Sequence, residues 1–350
     1  MLSSLKLNSR LASFGHVFHC SKGSSRSQST STVKQPLSGV ETVKGKIELN
    51  SFRKLAWDTE TPLLLRASHK FPASKKWFQS SGKYPIFSVY FQSFEDQILP
   101  YEFTIPSDSP YSGPNSEHYI IRLFLKYFLE SSKYKASSLI PTADAIKNSM
   151  MDEKRSIDNP VSFSRFDAPL ALIIAACHFN GDQNPGRRVK NLYVAQSDLS
   201  HLPESLVTDL PTPDIVKHAG KGDIYSSSIW LGLQPTYTPL HRDPNPNLFC
   251  QLVGSKRIRL MEPRRGDAVY AQVRKELGLG GNSRFRGTEM MEGRERQLLH
   301  DATWGDESVS EVLLNPTDAL FIPKGWWHTV ASNGVHAQGA LNASVNWWFR

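Results

Sequence analysis

From Lys190 to Arg350 the chain is written in short β-forming runs separated by Gly, Pro and Asn, and this punctuation limits its fold more than any other feature. The runs are Lys190–Ala195, Tyr225–Leu231, Leu248–Val253, Lys256–Met261, Ala319–Ile322 and Ala343–Phe349. Many short strands with turn residues between them predict a β-barrel or jelly roll. One interruption breaks the pattern: Arg264–Leu277 and Thr288–His300 read as helices joined through Gly278-Leu279-Gly280-Gly281-Asn282. They form an insertion over 264–311, placed to act as a lid or substrate-recognition element. Residues 41–190 mix both periodicities. Asn50-Ser51-Phe52 starts a helix, Pro62–Arg66 is a short buried strand, and Tyr119–Leu129 is an apolar helix opened by Asn115-Ser116-Glu117. Ser107–Asn115 and Gly181–Arg188 read as loops. The expected class is therefore mainly β with a helical flank (α+β), the flank over 41–190 and the barrel over 191–350.

The formal charge of +8 would by itself suggest an anionic partner. Its location changes the reading. Lys6, Arg10, Lys22, Arg26 and Lys34 all fall in residues 1–40, which contain no Asp or Glu and are rich in Ser. Leu7, Leu11, Phe14 and Phe18 share one helical face there. A basic, acid-free, amphipathic start predicts a mitochondrial transit peptide, cleaved near Arg26-Ser27-Gln28. The alternative is a solvated tail on a cytoplasmic or nuclear protein. Cys20, Cys177 and Cys250 form no CxxC pair and no disulfide framework. The longest apolar run, Ala168–Cys177, is too short to span a bilayer, so no membrane insertion is expected.

His241-Arg242-Asp243 follows a predicted strand, and His328 lies in Phe321-Ile322-Pro323-Lys324-Gly325-Trp326-Trp327-His328. An HxD alone arises readily by chance in a chain with eleven His. Two imidazoles and one carboxylate, however, can occupy one face of an octahedral metal and leave three positions open, as in the facial triad of non-haem Fe(II) oxygenases. Val253-Gly254-Ser255-Lys256 reads as a tight hairpin turn. In the strand after it Lys256, Ile258 and Leu260 share one face, with Arg257 and Arg259 on the other. An inward Lys256 needs an anion, and a ligand carboxylate is one solution. Snorkelling to solvent at the barrel mouth is the other.

The run Thr238-Pro239-Leu240-His241-Arg242-Asp243-Pro244-Asn245-Pro246-Asn247-Leu248-Phe249, then Gly254-Ser255-Lys256-Arg257, resembles the JmjC-domain oxygenases. It is most similar to the small hydroxylase-type, cupin-like members around factor-inhibiting-HIF. Asn315–Pro323 with Trp327-His328, the closing Ser344-Val345-Asn346-Trp347-Trp348, and Tyr193-Val194-Ala195-Gln196 fit the same family in order and spacing. The resemblance covers about Tyr193–Arg350. It implies a double-stranded β-helix (jelly-roll or cupin) core, with Fe(II) bound by His241, Asp243 and His328. It also implies 2-oxoglutarate held at its distal carboxylate by Lys256, Thr238 and Tyr193, and Asn247 and Asn346 lining the pocket with Trp348 beside them. Tyr225 and Trp230 are expected to be structural. Thr317 stands where the family commonly has Gly in a Pro-Gly-Asp turn.

The implied activity is that of a dioxygenase of the EC 1.14.11 type. It consumes O₂ and 2-oxoglutarate, releases succinate and CO₂, and hydroxylates a C–H bond. A protein or peptide side chain is the expected substrate, since the sequence has no Cys/His zinc module of a chromatin reader. The alternatives are lysine demethylation, modification of RNA such as tRNA, and a non-catalytic cupin-like binding role. Arg284, Arg286, Arg294 and Arg296 could serve RNA, but Glu289, Glu292 and Glu295 are interleaved with them. With no helical segment after the last strand, a monomer is expected.

Overall fold

The computed structural model describes residues 39–82, 84–106, 116–130, 136–150, 161–279, 291, 293–334 and 337–350. The amphipathic N-terminal segment, the Ser107–Asn115 loop and the Gly280–Asn282 part of the glycine hinge lie outside the described residues. The described residues form fifteen strands: β1 (Glu41–Lys44), β2 (Leu63–Arg66), β3 (Phe78–Ser81), β4 (Tyr84–Phe87), β5 (Ile98–Pro106), β6 (Val161–Pro169), β7 (Leu192–Asp198), β8 (Ile224–Leu233), β9 (Tyr237–Arg242), β10 (Asn247–Val253), β11 (Lys256–Met261), β12 (Ser310–Leu314), β13 (Ala319–Ile322), β14 (Trp327–Ser332) and β15 (Leu341–Phe349). The longer helices are α1 (Glu117–Glu130), α2 (Ala136–Met150), α3 (Ala171–Gly181), α4 (Pro263–Glu276) and α5 (Gly293–Trp304).

Two sheets enclose the barrel. The major sheet runs β1-β2-β13-β10-β15-β8-β7-β5-β6, and the minor one β12-β11-β14-β9. The jelly-roll core with a helical flank is as expected, and the flank is stitched into it: β1 and β2 extend one edge of the major sheet, β5 and β6 the other. Strand β15 shows why the site lies between the sheets. All nine of its residues are buried. Leu341, Ala343, Val345, Trp347 and Phe349 join the outer apolar core with α3, whose apolar surface is continuous around the helix. Asn342, Ser344, Asn346 and Trp348 take the opposite, inward face by the two-residue period of a strand. Further into the barrel, Phe249, Ile258, Leu260, Val312, Leu314, Leu320, Ile322 and Val330 fill the space between the sheets.

One expectation is corrected. Val253–Lys256 is not a hairpin turn, because β10 pairs with β13 and β15 whereas β11 pairs with β12 and β14. The turn instead carries the chain from one sheet to the other. Gly254 makes this possible with φ 70° and no side chain, since a Cβ there would lie 2.7 Å from Asn342 Nδ2. Arg259 lies on the outward face, as the alternation predicts, and is only 6% exposed. Its guanidinium donates to Glu311, to the Thr303 carbonyl at 2.6 Å and to the Asp306 carbonyl at 3.0 Å, under the Trp304 ring. The second helix of the insertion is described over Gly293–Trp304, and the start expected at Thr288 lies outside the described residues.

Helices α4 and α5 pack on the outer face of the minor sheet, where Tyr270, Val273 and Leu299 bury Leu240, Met261 and Trp327. Gly266 sits directly on the Trp327 ring; a Cβ would fall 2.1 Å from it. Thr317 adopts φ 76° in the turn between β12 and β13. That is the left-handed conformation glycine takes without strain and a β-branched residue does not. Its backbone is held there, with the carbonyl accepting from Ser68 N and His69 N and the amide donating to Gln251 O.

Candidate metal centre and cosubstrate pocket

Strands β9 and β14 are antiparallel neighbours, and His241 pairs directly with His328 across them. The next pair inward is Thr238 with Val330, so three steps along β9 match two along β14. This bulge turns both Thr238 and His241 toward the barrel interior despite their odd spacing. The imidazole centroids lie 4.2 Å apart.

Each imidazole is set by the backbone behind it. His241 Nδ1 lies 2.8 Å from the Pro239 carbonyl and His328 Nδ1 lies 3.1 Å from that of Trp326. A carbonyl only accepts, so both Nδ1 atoms carry a proton, and each ring turns its Nε2 toward the site. Those Nε2 atoms converge on Asp243: His241 at 3.9 Å from Oδ1, His328 at 3.6 Å from Oδ2. One ligand atom from each residue lies within 4.8 Å of the others. Burial, reinforced by the neighbouring His241, lowers the His328 pKa to about 4 and keeps it in the neutral, ligating form.

Asp243 is held in turn. Asn247 Nδ2 donates to Asp243 Oδ2 at 3.0 Å, Asn346 Nδ2 donates to Asn247 Oδ1 at 3.0 Å, and Trp230 Nε1 donates to Asn346 Oδ1 at 2.7 Å. This corrects the expectation for Trp230, which belongs to the site. So does Tyr225, 71% exposed where it lines the same cavity.

The cavity measures about 250 Å³ and runs from this triad to Lys256. Lys256 is 1% exposed. Its Nζ donates to Ser344 Oγ at 2.7 Å and to Tyr193 Oη at 3.2 Å, and it lies 5.1 Å from the Phe249 ring centroid. Burial alone pushes its pKa down to about 7, with no carboxylate opposing the shift. Snorkelling is thereby ruled out. Thr238 and Tyr193 line the same cavity, as do Asn247, Asn346 and Trp348. All nine of these residues singled out in the sequence therefore meet in one space. Trp230, Ser344 and Gln196 line or support it as well and were missed, although the alternation Ser226, Ser228, Trp230 along β8 marks the same inward face.

Residues 123–350 match the cupin-like domain family. The chain belongs to that family. Among its curated relatives, JmjC domain-containing protein D of Dictyostelium discoideum is 29% identical over 150 residues, covering 40% of this chain and 32% of the relative. Jumonji C domain-containing protein 5 of Drosophila melanogaster is 29% identical over 170 residues, covering 48% and 39%. Lysine-specific demethylase 8 of Danio rerio is 31% identical over 159 residues, covering 45% and 36%. The matches thus span between 32% and 39% of the length of these relatives. They bear out the resemblance to JmjC proteins, without singling out the factor-inhibiting-HIF type.

The residues present fit the family's cofactors. Two imidazoles whose Nε2 atoms converge on one carboxylate form an N,N,O donor set suited to Fe(II). A buried amine without a counter-ion suits the distal carboxylate of 2-oxoglutarate.

Proposed function

We propose that this protein is an Fe(II)- and 2-oxoglutarate-dependent dioxygenase that hydroxylates a protein side chain. The observation that carries this is the pairing, in one cavity, of a buried His241/Asp243/His328 set with a buried, uncompensated Lys256. Iron with 2-oxoglutarate and O₂ supplies the oxidising power, coupling decarboxylation of the cosubstrate to oxygen insertion into a C–H bond. The chain's own residues bind and orient. His241, Asp243 and His328 take one face of the metal and leave the opposite face open. Lys256 neutralises the distal carboxylate, and Tyr193, Ser344 and Thr238 supply hydroxyls around it. Phe249 and Trp348 keep that end dry, which strengthens each of these electrostatic contacts. Asn247 holds Asp243 Oδ2 and leaves Oδ1 for the metal.

His241→Ala and Asp243→Ala should each abolish Mn(II) binding, read by electron paramagnetic resonance, together with succinate release. Binding or turnover that survives either change would defeat the assignment. Lysine demethylation is the second reading, favoured by the names of the Danio relative and of lysine-specific demethylase JMJ30 from Arabidopsis thaliana. It uses the same centre on an N-methyl C–H bond. Substrates trapped on the inactive Asp243→Ala variant and then incubated with the unsubstituted enzyme separate the two: hydroxylation leaves one added oxygen on the peptide, and demethylation releases formaldehyde.

The proposed location is mitochondrial, supported by the basic, acid-free start of the sequence. N-terminal sequencing of the protein from purified organelles should find Met1 removed, and an intact Met1 would refute it.

A further inference from the structure

Trp230 lies on β8, well outside the HxD segment and the His328 segment, yet its side chain bridges the two ends of the cavity. Its ring faces the Lys256 ammonium, 6.0 Å from centroid to Nζ, and its Nε1 begins the chain of three hydrogen bonds that ends on Asp243. The chain has a fixed direction. Indole N–H can only donate, so Asn346 must turn its Oδ1 to Trp230. Asn346 Nδ2 then points to Asn247, which must accept through Oδ1 and therefore aims its own Nδ2 at Asp243 Oδ2. At the far end a carboxylate only accepts, so both termini enforce the same orientation on two amides that could otherwise rotate by half a turn. Asn346 is fully buried and Asn247 is 3% exposed, so water does not readily substitute for a missing partner.

We infer that Trp230 is a positioning residue for the metal centre. Through Asn346 and Asn247 it keeps Asp243 Oδ2 engaged, so that Asp243 ligates through Oδ1 alone and the face opposite the triad stays open. The inference rests on the metal-centre reading given above. It goes beyond that reading in assigning a role to a residue that reaches Asp243 only through two intervening amides.

Metal-free protein titrated with Co(II) and followed by visible absorption gives the test. Asn247→Ala, which removes the group bonded to Asp243, should weaken Co(II) binding by about 10–100-fold. Trp230→Phe keeps an aromatic ring beside Tyr193 and Lys256 and removes only the N–H. It should weaken binding by roughly three- to tenfold and alter the Co(II) absorption bands, as expected for a partner one step further out. The two effects should be non-additive, because Trp230 acts only through the chain that Asn247 completes. A purely structural Trp230 would lower the thermal midpoint of the metal-free protein, with Co(II) affinity unchanged or the two effects additive; either result overturns the inference. Failure of the unsubstituted protein to bind Co(II) at the triad would overturn the metal-centre reading first, and this inference with it.

Discussion

At the scale of single residues, Lys256 does the most with the least protein around it. Its amine is enclosed by Tyr193, Trp230 and Phe249 with two hydroxyls as partners, and its pKa falls from the ordinary 10.5 to about 7. The unfolded chain therefore holds more protons than the folded one between about pH 7 and 10.5. The stability of the ligand-free protein should rise with pH across that window, the penalty for burying the charge being fully present below pH 7. Dicarboxylate binding has the opposite slope, because it needs the ammonium form. Affinity of the Mn(II)-loaded protein for N-oxalylglycine, measured by calorimetry from pH 6 to 9, should be greatest at the acid end. It should weaken by up to about tenfold per unit above pH 7. Lys256→Met should bind far more weakly and lose that slope; an unchanged slope would remove Lys256 from the site. The burial of Lys256 was legible in the sequence, since Ile258 and Leu260 share its face. The part played by Trp230 was not, because a hydrogen bond between β8 and β15 depends on a register that alternation along one strand does not specify.

At the scale of elements, strand positions were legible and their partners were not. The turn at Gly254 looks the same in sequence whether it closes a hairpin or passes between sheets. The β9 bulge leaves no signature beyond Pro239, yet it decides that Thr238 and His241 point the same way. The insertion shows a further limit. Its alternating charges predict exposed helices, whereas α4 and α5 supply an apolar layer behind β9 and β14, and the 280–290 segment lies outside the described residues. No residue of either helix lines the cavity among the described residues. They reach its border through Asp267, which accepts from the cavity-lining Arg242 at 2.9 Å, and through Gly266 against Trp327, the neighbour of His328. Gly266→Ala should therefore destabilise the protein by about 1–3 kcal/mol through overpacking, read from urea denaturation. Gly181→Ala, where nothing lies within 4 Å, serves as the control and should be near neutral.

At the scale of the whole molecule, the sequence divides the chain into a flank and a barrel, and the sheet order unites them. The apolar run of β2 was visible as a strand and that of β5 was not, and non-local pairing is what places them toward opposite edges of one sheet. Strand β15 is the last of the described strands in chain order, and it lies fifth of nine in that sheet, hydrogen-bonded to β10 on one side and β8 on the other. On a ribosome, β8 and β10 emerge long before the strand that must lie between them. The two parts of the sheet, β6-β5-β7-β8 and β1-β2-β13-β10, can each pair by themselves but stay unjoined until residues 341–349 arrive, so the largest sheet is closed from the middle.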